Sequence, residues 1–137
     1  MKTASSARAP EVARIIEAPA ADAWSLLVDT ARWPEWGPSI REVESSSRRI
    51  GPHSRGRVRT AVGPWLPFEV DRFEEGRAWS WRIRGVRATG HRVEPLGPHR
   101  CRVVFEVPRF ARPYLIVCRR ALRRLARALE ASDAPHR

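Results

Sequence analysis

Lysine is almost missing from this chain: Lys2 is the only one, and arginine supplies every other strong cation. That usage, together with abundant alanine and proline, matches the codon bias of a GC-rich genome. The formal net charge of +11 therefore says less about a polyanion partner than its size suggests. The charge is also spread along the whole sequence, which argues against a dedicated nucleic-acid surface. Long apolar runs are missing too. No stretch approaches the roughly 20 consecutive apolar residues of a membrane-spanning helix. The first residues, MKTASSARAPEVAR, contain no apolar secretory core, so a cytoplasmic protein is expected. Cysteine occurs twice, at Cys101 and Cys118, with no CxxC spacing. Two such cysteines do not build a disulfide framework, and buried free thiols are expected.

Catalytic motifs are missing as well. The sequence holds no HExxH, no nucleophile elbow, no dinucleotide-binding glycine pattern and no P-loop. His53, His91, His99 and His136 are dispersed, so neither a metal site nor a bound cofactor is expected.

What is present suits one domain. The chain has 137 residues, 42% of them apolar, and six tryptophans. Residues 1–10 are small and polar and read as a flexible N-terminus, residues 11–132 as the domain, and 133–137 as a flexible tail. Residues 12–17, VARIIE, are β-branched and read as a strand. Pro19 opens a short helix carrying Trp24, Leu26 and Leu27. Asp29 and Thr30 offer caps for a second, brief helix at 31–36.

From residue 40 to 107 the apolar period becomes two. Short strands are predicted at 40–44 and 57–62, then through Leu66, Phe68 and Val70, then at 77–86. Two more follow, through Thr89, His91 and Val93, and through Cys101, Val103, Phe105 and Val107. Gly-Pro and Glu-Gly pairs separate several of them. This is the pattern of an antiparallel meander with one wet face. After Pro113 the period becomes helical. Leu115, Cys118, Leu122, Leu125 and Leu129 fall within a sector of about 80°, with Arg119, Arg120, Arg123, Arg124 and Arg127 opposite. The leucine stripe needs an apolar partner, and the sheet is the one available. The expected class is α+β: a curved antiparallel sheet wrapped around a long C-terminal helix, with two short helices after the first strand.

Residues 15–44, IIEAPAADAWSLLVDTARWPEWGPSIREVE, carry a family resemblance. An Ala-Pro opens the first helix, Trp24 sits inside it, and Asp29 precedes the WPEW run. Residues 76–96, GRAWSWRIRGVRATGHRVEPL, and the closing amphipathic helix add to it. Together they resemble the START/Bet v 1-like superfamily, in its polyketide cyclase/dehydrase branch. The resemblance implies a helix-grip fold with a cavity between sheet and helix. It also implies binding of apolar molecules such as lipids, sterols or polyketides, with cyclisation or dehydration in some members.

The candidate ligand-binding residues are Trp36, Phe68, Trp79, Trp81, His91, Phe105, Tyr114 and Cys118. Trp79, Trp81 and Phe68 face one way on adjacent strands. They fit either ordinary core or the wall of a pocket for a flat apolar ligand. Trp33 and Trp36 fit either a plug between the short helices and the sheet or the lip of a pocket. His91 is the one histidine inside a strand. It fits a hydrogen-bonded structural role; facing a cavity with a pKa near neutrality, it would be the catalytic candidate. Tyr114 offers a second polar tip. The chain is thus expected to bind an apolar, aromatic or polycyclic molecule. Any catalysis would be of the cyclase/dehydratase kind, working by holding its substrate. The alternative is a nucleic-acid-binding or protein-interaction module using the arginine face of the last helix.

Overall fold

The computed structural model describes residues 9–132. Of the ends expected to be flexible, 1–10 and 133–137, residues 1–8 and 133–137 lie outside the described residues. Seven antiparallel strands form one sheet: β1 (Glu11–Ile16), β2 (Ile40–Ser45), β3 (Arg55–Thr60), β4 (Trp65–Glu74), β5 (Ala78–Ile83), β6 (Val86–Gly97) and β7 (Arg100–Glu106). Their order is β1-β7-β6-β5-β4-β3-β2, so β2 to β7 form an unbroken meander and β1 closes onto β7. Between β1 and β2 lie α1 (Ala20–Val28), a 3-10 turn at Thr30–Arg32 and the single-turn α2 (Trp33–Trp36). A second 3-10 turn, Arg109–Tyr114, leads into α3 (Leu115–Ser132).

Local chemistry explains these boundaries. The Asp29 side chain accepts a hydrogen bond from the Ala31 amide, which starts the 3-10 turn. Pro34 falls in the first turn of α2, where a missing N–H costs nothing. The helix expected over 31–36 is therefore a 3-10 turn followed by one α turn. A second difference lies at 77–86. The strand stops at Ile83, and Arg84 and Gly85 both take positive φ, 54° and 77°. That pair makes a two-residue hairpin turn, and Val86 opens the next strand.

Register shifts at Val70/Arg72 in β4 and Ser80/Arg82 in β5 sit side by side. Bulges of this kind bend and twist a sheet. The concave face that results packs on the helices. The α3 stripe of Cys118, Leu122, Leu125 and Leu129 is buried with Ala121 and Ala126, whereas its five arginines are exposed. The convex face carries cross-strand ion pairs, among them Arg57–Glu44 at 2.7 Å, Arg59–Glu42 at 2.8 Å and Arg92–Glu106 at 3.2 Å. Such exposed pairs set register more than they add stability.

Candidate functional site

An aromatic cluster lies under the concave face. Trp33 stacks on Trp79 with centroids 5.4 Å apart and planes 7° from parallel. It meets Trp81 at 5.2 Å and Phe68 at 5.5 Å. Each of these rings is buried. Trp33 and Trp36 are held by their indole N–H groups, which donate to the carbonyls of Leu27 at 2.9 Å and Leu26 at 3.1 Å. Both therefore fill the interior between the short helices and the sheet, and neither stands as an exposed lip. Trp33 meets Trp81 edge-on and Phe68 at a tilt, and Trp36 meets Phe105 edge-on at 5.7 Å, all favourable aromatic contacts.

Beside this cluster His91 anchors a polar chain. Its Nδ1 lies 3.2 Å from the Trp79 carbonyl oxygen, which can only accept, so Nδ1 carries the proton. Nε2 then accepts from the Thr89 hydroxyl at 2.9 Å. Thr89 Oγ1 in turn accepts from Trp81 Nε1 at 2.9 Å. Stacking on Trp79 at 4.1 Å and edge contact with Phe105 at 4.8 Å complete the enclosure. Burial drives the His91 pKa down to about 3, against a smaller opposing effect of the Trp79 carbonyl. The imidazole is neutral near pH 7, well away from the near-neutral pKa that acid–base work at that pH favours.

Six of the sequence candidates meet around one small cavity of about 30 Å³: Trp36, Trp81, His91, Phe105, Tyr114 and Cys118. That space holds about one water molecule. Phe68 and Trp79 do not reach it and belong to the packed cluster behind. Burial pushes the Cys118 thiol up to about 11, so it behaves as an apolar wall group.

A larger cleft of about 350 Å³ opens next to this cavity and shares Ser39, Ile40, Trp81, Thr89 and Tyr114 with it. Its walls come from β3 (Val58, Thr60), β4 (Leu66), β5 (Ile83) and β6 (Ala88), and the 3-10 turn closes it with Ala111. The polar atoms are few. Ser39 Oγ and Tyr114 Oη share a hydrogen bond of 2.5 Å. Thr60 Oγ1 is buried and has no hydrogen-bond partner. Sequence reasoning did not single out Ser39, Thr60 or Ala111. Only Thr60 carried a signal, since it falls in phase with Val58 on a predicted strand. Among the described residues no group of three or more His, Cys, Asp or Glu is placed to hold a metal ion. No described helix is long and apolar enough to cross a membrane.

A bent antiparallel sheet gripping one long helix defines the helix-grip class; the apolar cleft lies between the strands and the 3-10 turn that precedes α3, not against α3 itself as the sequence suggested. Within that class the sequence pattern is specific: the profile of the family described as polyketide cyclase / dehydrase and lipid transport matches residues 9–130. The chain belongs to that family. No curated protein sequence matches it. Among solved structures, the aromatase/cyclase Zhui from Streptomyces sp. R1128 is 15% identical, with a TM-score of 0.68 over 93% of this chain and 96% of that one. The di-domain aromatase/cyclase BexL of the BE-7585A biosynthetic pathway is 17% identical, with a TM-score of 0.72 over 93% of this chain and 48% of that one. Protein MLL2253 from Mesorhizobium loti is 17% identical, with a TM-score of 0.71 over 93% of this chain and all of the other, at 100%. At these identities the likeness is one of fold.

Proposed function

We propose that the protein binds an apolar small molecule, with a flat or polycyclic body and at least one hydrogen-bonding group, in the 350 Å³ cleft. The observation that carries this reading is Thr60 Oγ1. A buried hydroxyl without a partner costs stability unless something pairs with it. Thr60 lines a mostly apolar cleft of ordinary ligand-site size, with its hydroxyl oxygen covered just beneath the wall. A small turn of the Thr60 side chain into the cleft would let its hydroxyl pair with a ligand carbonyl or hydroxyl, and Tyr114 and Ser39 offer a second polar contact. Polyketides and lipids, the substrates the family description names, combine an apolar skeleton with such groups.

In this reading His91 positions rather than reacts. It holds the Thr89 hydroxyl and the Trp81 indole at the inner end of the cleft. Any turnover of the cyclase or dehydratase kind would rest on folding a flexible substrate into a reactive conformer, which can supply several kcal/mol.

The test is a titration of intrinsic tryptophan fluorescence with a panel of flat hydrophobic ligands. Trp81 lines the cleft and reports on it. A saturable change is expected in the wild type. Ala111→Phe, which fills the cleft from the 3-10 turn, should abolish it while leaving the thermal midpoint within a few degrees. No saturable change for any ligand, or equal binding by the variant, would end this reading.

A further inference from the structure

The mouth of the cleft has an unusual surface. Among the described residues seven large hydrophobic side chains are exposed: Ile15, Val62, Val86, Leu96, Phe110, Tyr114 and Ile116. Four of them lie at this end of the sheet: Val86 and Tyr114 line the cleft, Phe110 adjoins the lining residue Ala111, and Val62 sits in the β3–β4 turn two residues after Thr60, while Ile116 opens the outer face of α3. Their exposure is high: 88% for Val62, 71% for Phe110 and 64% for Ile116. Backbone and side-chain bonds tie the segments together. The Ala61 amide donates to the Ser39 carbonyl at 3.0 Å, and Ser39 bonds Tyr114. The Arg84 amide donates to the Pro67 carbonyl at 2.9 Å, which fixes the β5–β6 turn beside β4.

Charge at this end is mainly positive, with Glu42 held in its pair with Arg59. The segments 60–67, 83–93 and 107–129 contain no aspartate or glutamate. Arg84, Arg87 and Arg112 are exposed there and make no ion pair among the described residues, whereas arginines on the convex face are largely paired. The stripe runs on along α3. Ile116, Arg120, Arg123 and Arg127, at spacings of four, three and four residues, lie on one side of the helix, and all four are exposed.

We propose that this mouth, with the outer stripe of α3, is a docking surface for an anionic lipid bilayer. Arginines alone would suit any polyanion. The side chains between them decide the partner. Val62 and Ile116 cannot stack on bases, and exposed apolar tips ringed by cations need a phase that offers both anions and hydrocarbon. A bilayer with acidic headgroups offers both. The apolar tips enter the headgroup boundary, and the arginines reach the phosphates with their stems along the apolar surface. The cleft then opens toward the lipid, so an apolar occupant would pass between them without crossing water.

The test is co-sedimentation with vesicles of phosphatidylcholine containing about 30% phosphatidylglycerol, against pure phosphatidylcholine, at low and high salt. No ligand is involved, so the result is independent of what the cleft binds. The wild type should bind the anionic vesicles at least about tenfold more tightly than the neutral ones, and raised salt should weaken that binding. The triple variant Val62→Ser, Phe110→Ser, Ile116→Ser, and the single Phe110→Ser, alter exposed positions and should keep the wild-type melting point. The triple variant should lose roughly tenfold or more in vesicle binding. Absence of binding to anionic vesicles would overturn the proposal. So would equal binding by the triple variant, which would mean adsorption by charge alone. Binding of a DNA duplex by wild type and triple variant alike, tighter than to vesicles, would assign the surface to nucleic acid instead.

Discussion

His91 gives stability a pH dependence of definite sign. In the folded chain its neutral form donates to the Trp79 carbonyl and accepts from Thr89, and burial holds its pKa at about 3. In the unfolded chain the pKa returns to the ordinary 6.5. As pH falls through 6.5 the unfolded chain therefore takes up a proton that the folded chain refuses. The contribution is fully present above that pH, declines below it, and stops declining near pH 3, where the native state protonates too. At pH 5 the gap of 1.5 units corresponds to about 2 kcal/mol lost. Several carboxylates also titrate near that range, so the comparison needs a variant in which only this site is silent. His91→Gln keeps a donor and an acceptor and does not ionise. Urea unfolding at pH 8 and pH 5 gives the two differences. The wild type should lose about 2 kcal/mol more than the variant over that interval. Equal losses would show that His91 is not a buried neutral group and would refute the assigned hydrogen-bond chain.

Further predictions concern packing and the thiols. Trp33→Ala removes the ring that meets Phe68, Trp79 and Trp81, and should cost about 3–5 kcal/mol in urea unfolding. Gly56→Ala would place a Cβ 2.2 Å from the Glu44 carbonyl oxygen and 2.9 Å from Phe68, so β2 and β3 must separate. A loss of roughly 1–3 kcal/mol or more, read as a lowered melting point, is expected. Cys101 and Cys118 are buried, with Cys118 pushed up to about 11. Iodoacetamide at pH 8 should label the native chain slower than the urea-unfolded chain by roughly two orders of magnitude or more.

Much of the fold was legible because period and turn residues agree. The alternation of Trp79, Trp81 and Ile83 placed one face inward, and the leucine stripe of α3 demanded a sheet to lie on. The hairpin at Arg84-Gly85 was not legible. Its turn puts an arginine at positive φ, where Asn or Gly is the usual signal. The site was legible in part for a similar reason. Six candidates converge on the inner cavity because strand phase puts Trp81, His91 and Phe105 on the concave face and helical phase puts Cys118 opposite them. What covers Trp79 and Phe68 was hidden, since Trp33 reaches them from a different part of the chain. The larger cleft was hidden too. Ser39 and Ala111 come from a loop and a 3-10 turn whose approach depends on tertiary packing, and no local pattern encodes it.

The central claim is that the cleft beside Thr60, Tyr114 and Ala88 is the ligand site. A crystal structure of the protein with the tightest ligand from the fluorescence panel tests it most directly. Density is expected for the ligand body against Trp81, Ala88 and Ala111, with the Thr60 side chain turned into the cleft and its Oγ1 within about 3 Å of a polar ligand atom. Density on the convex face, or a cleft closed by its own side chains with the ligand elsewhere, would contradict it.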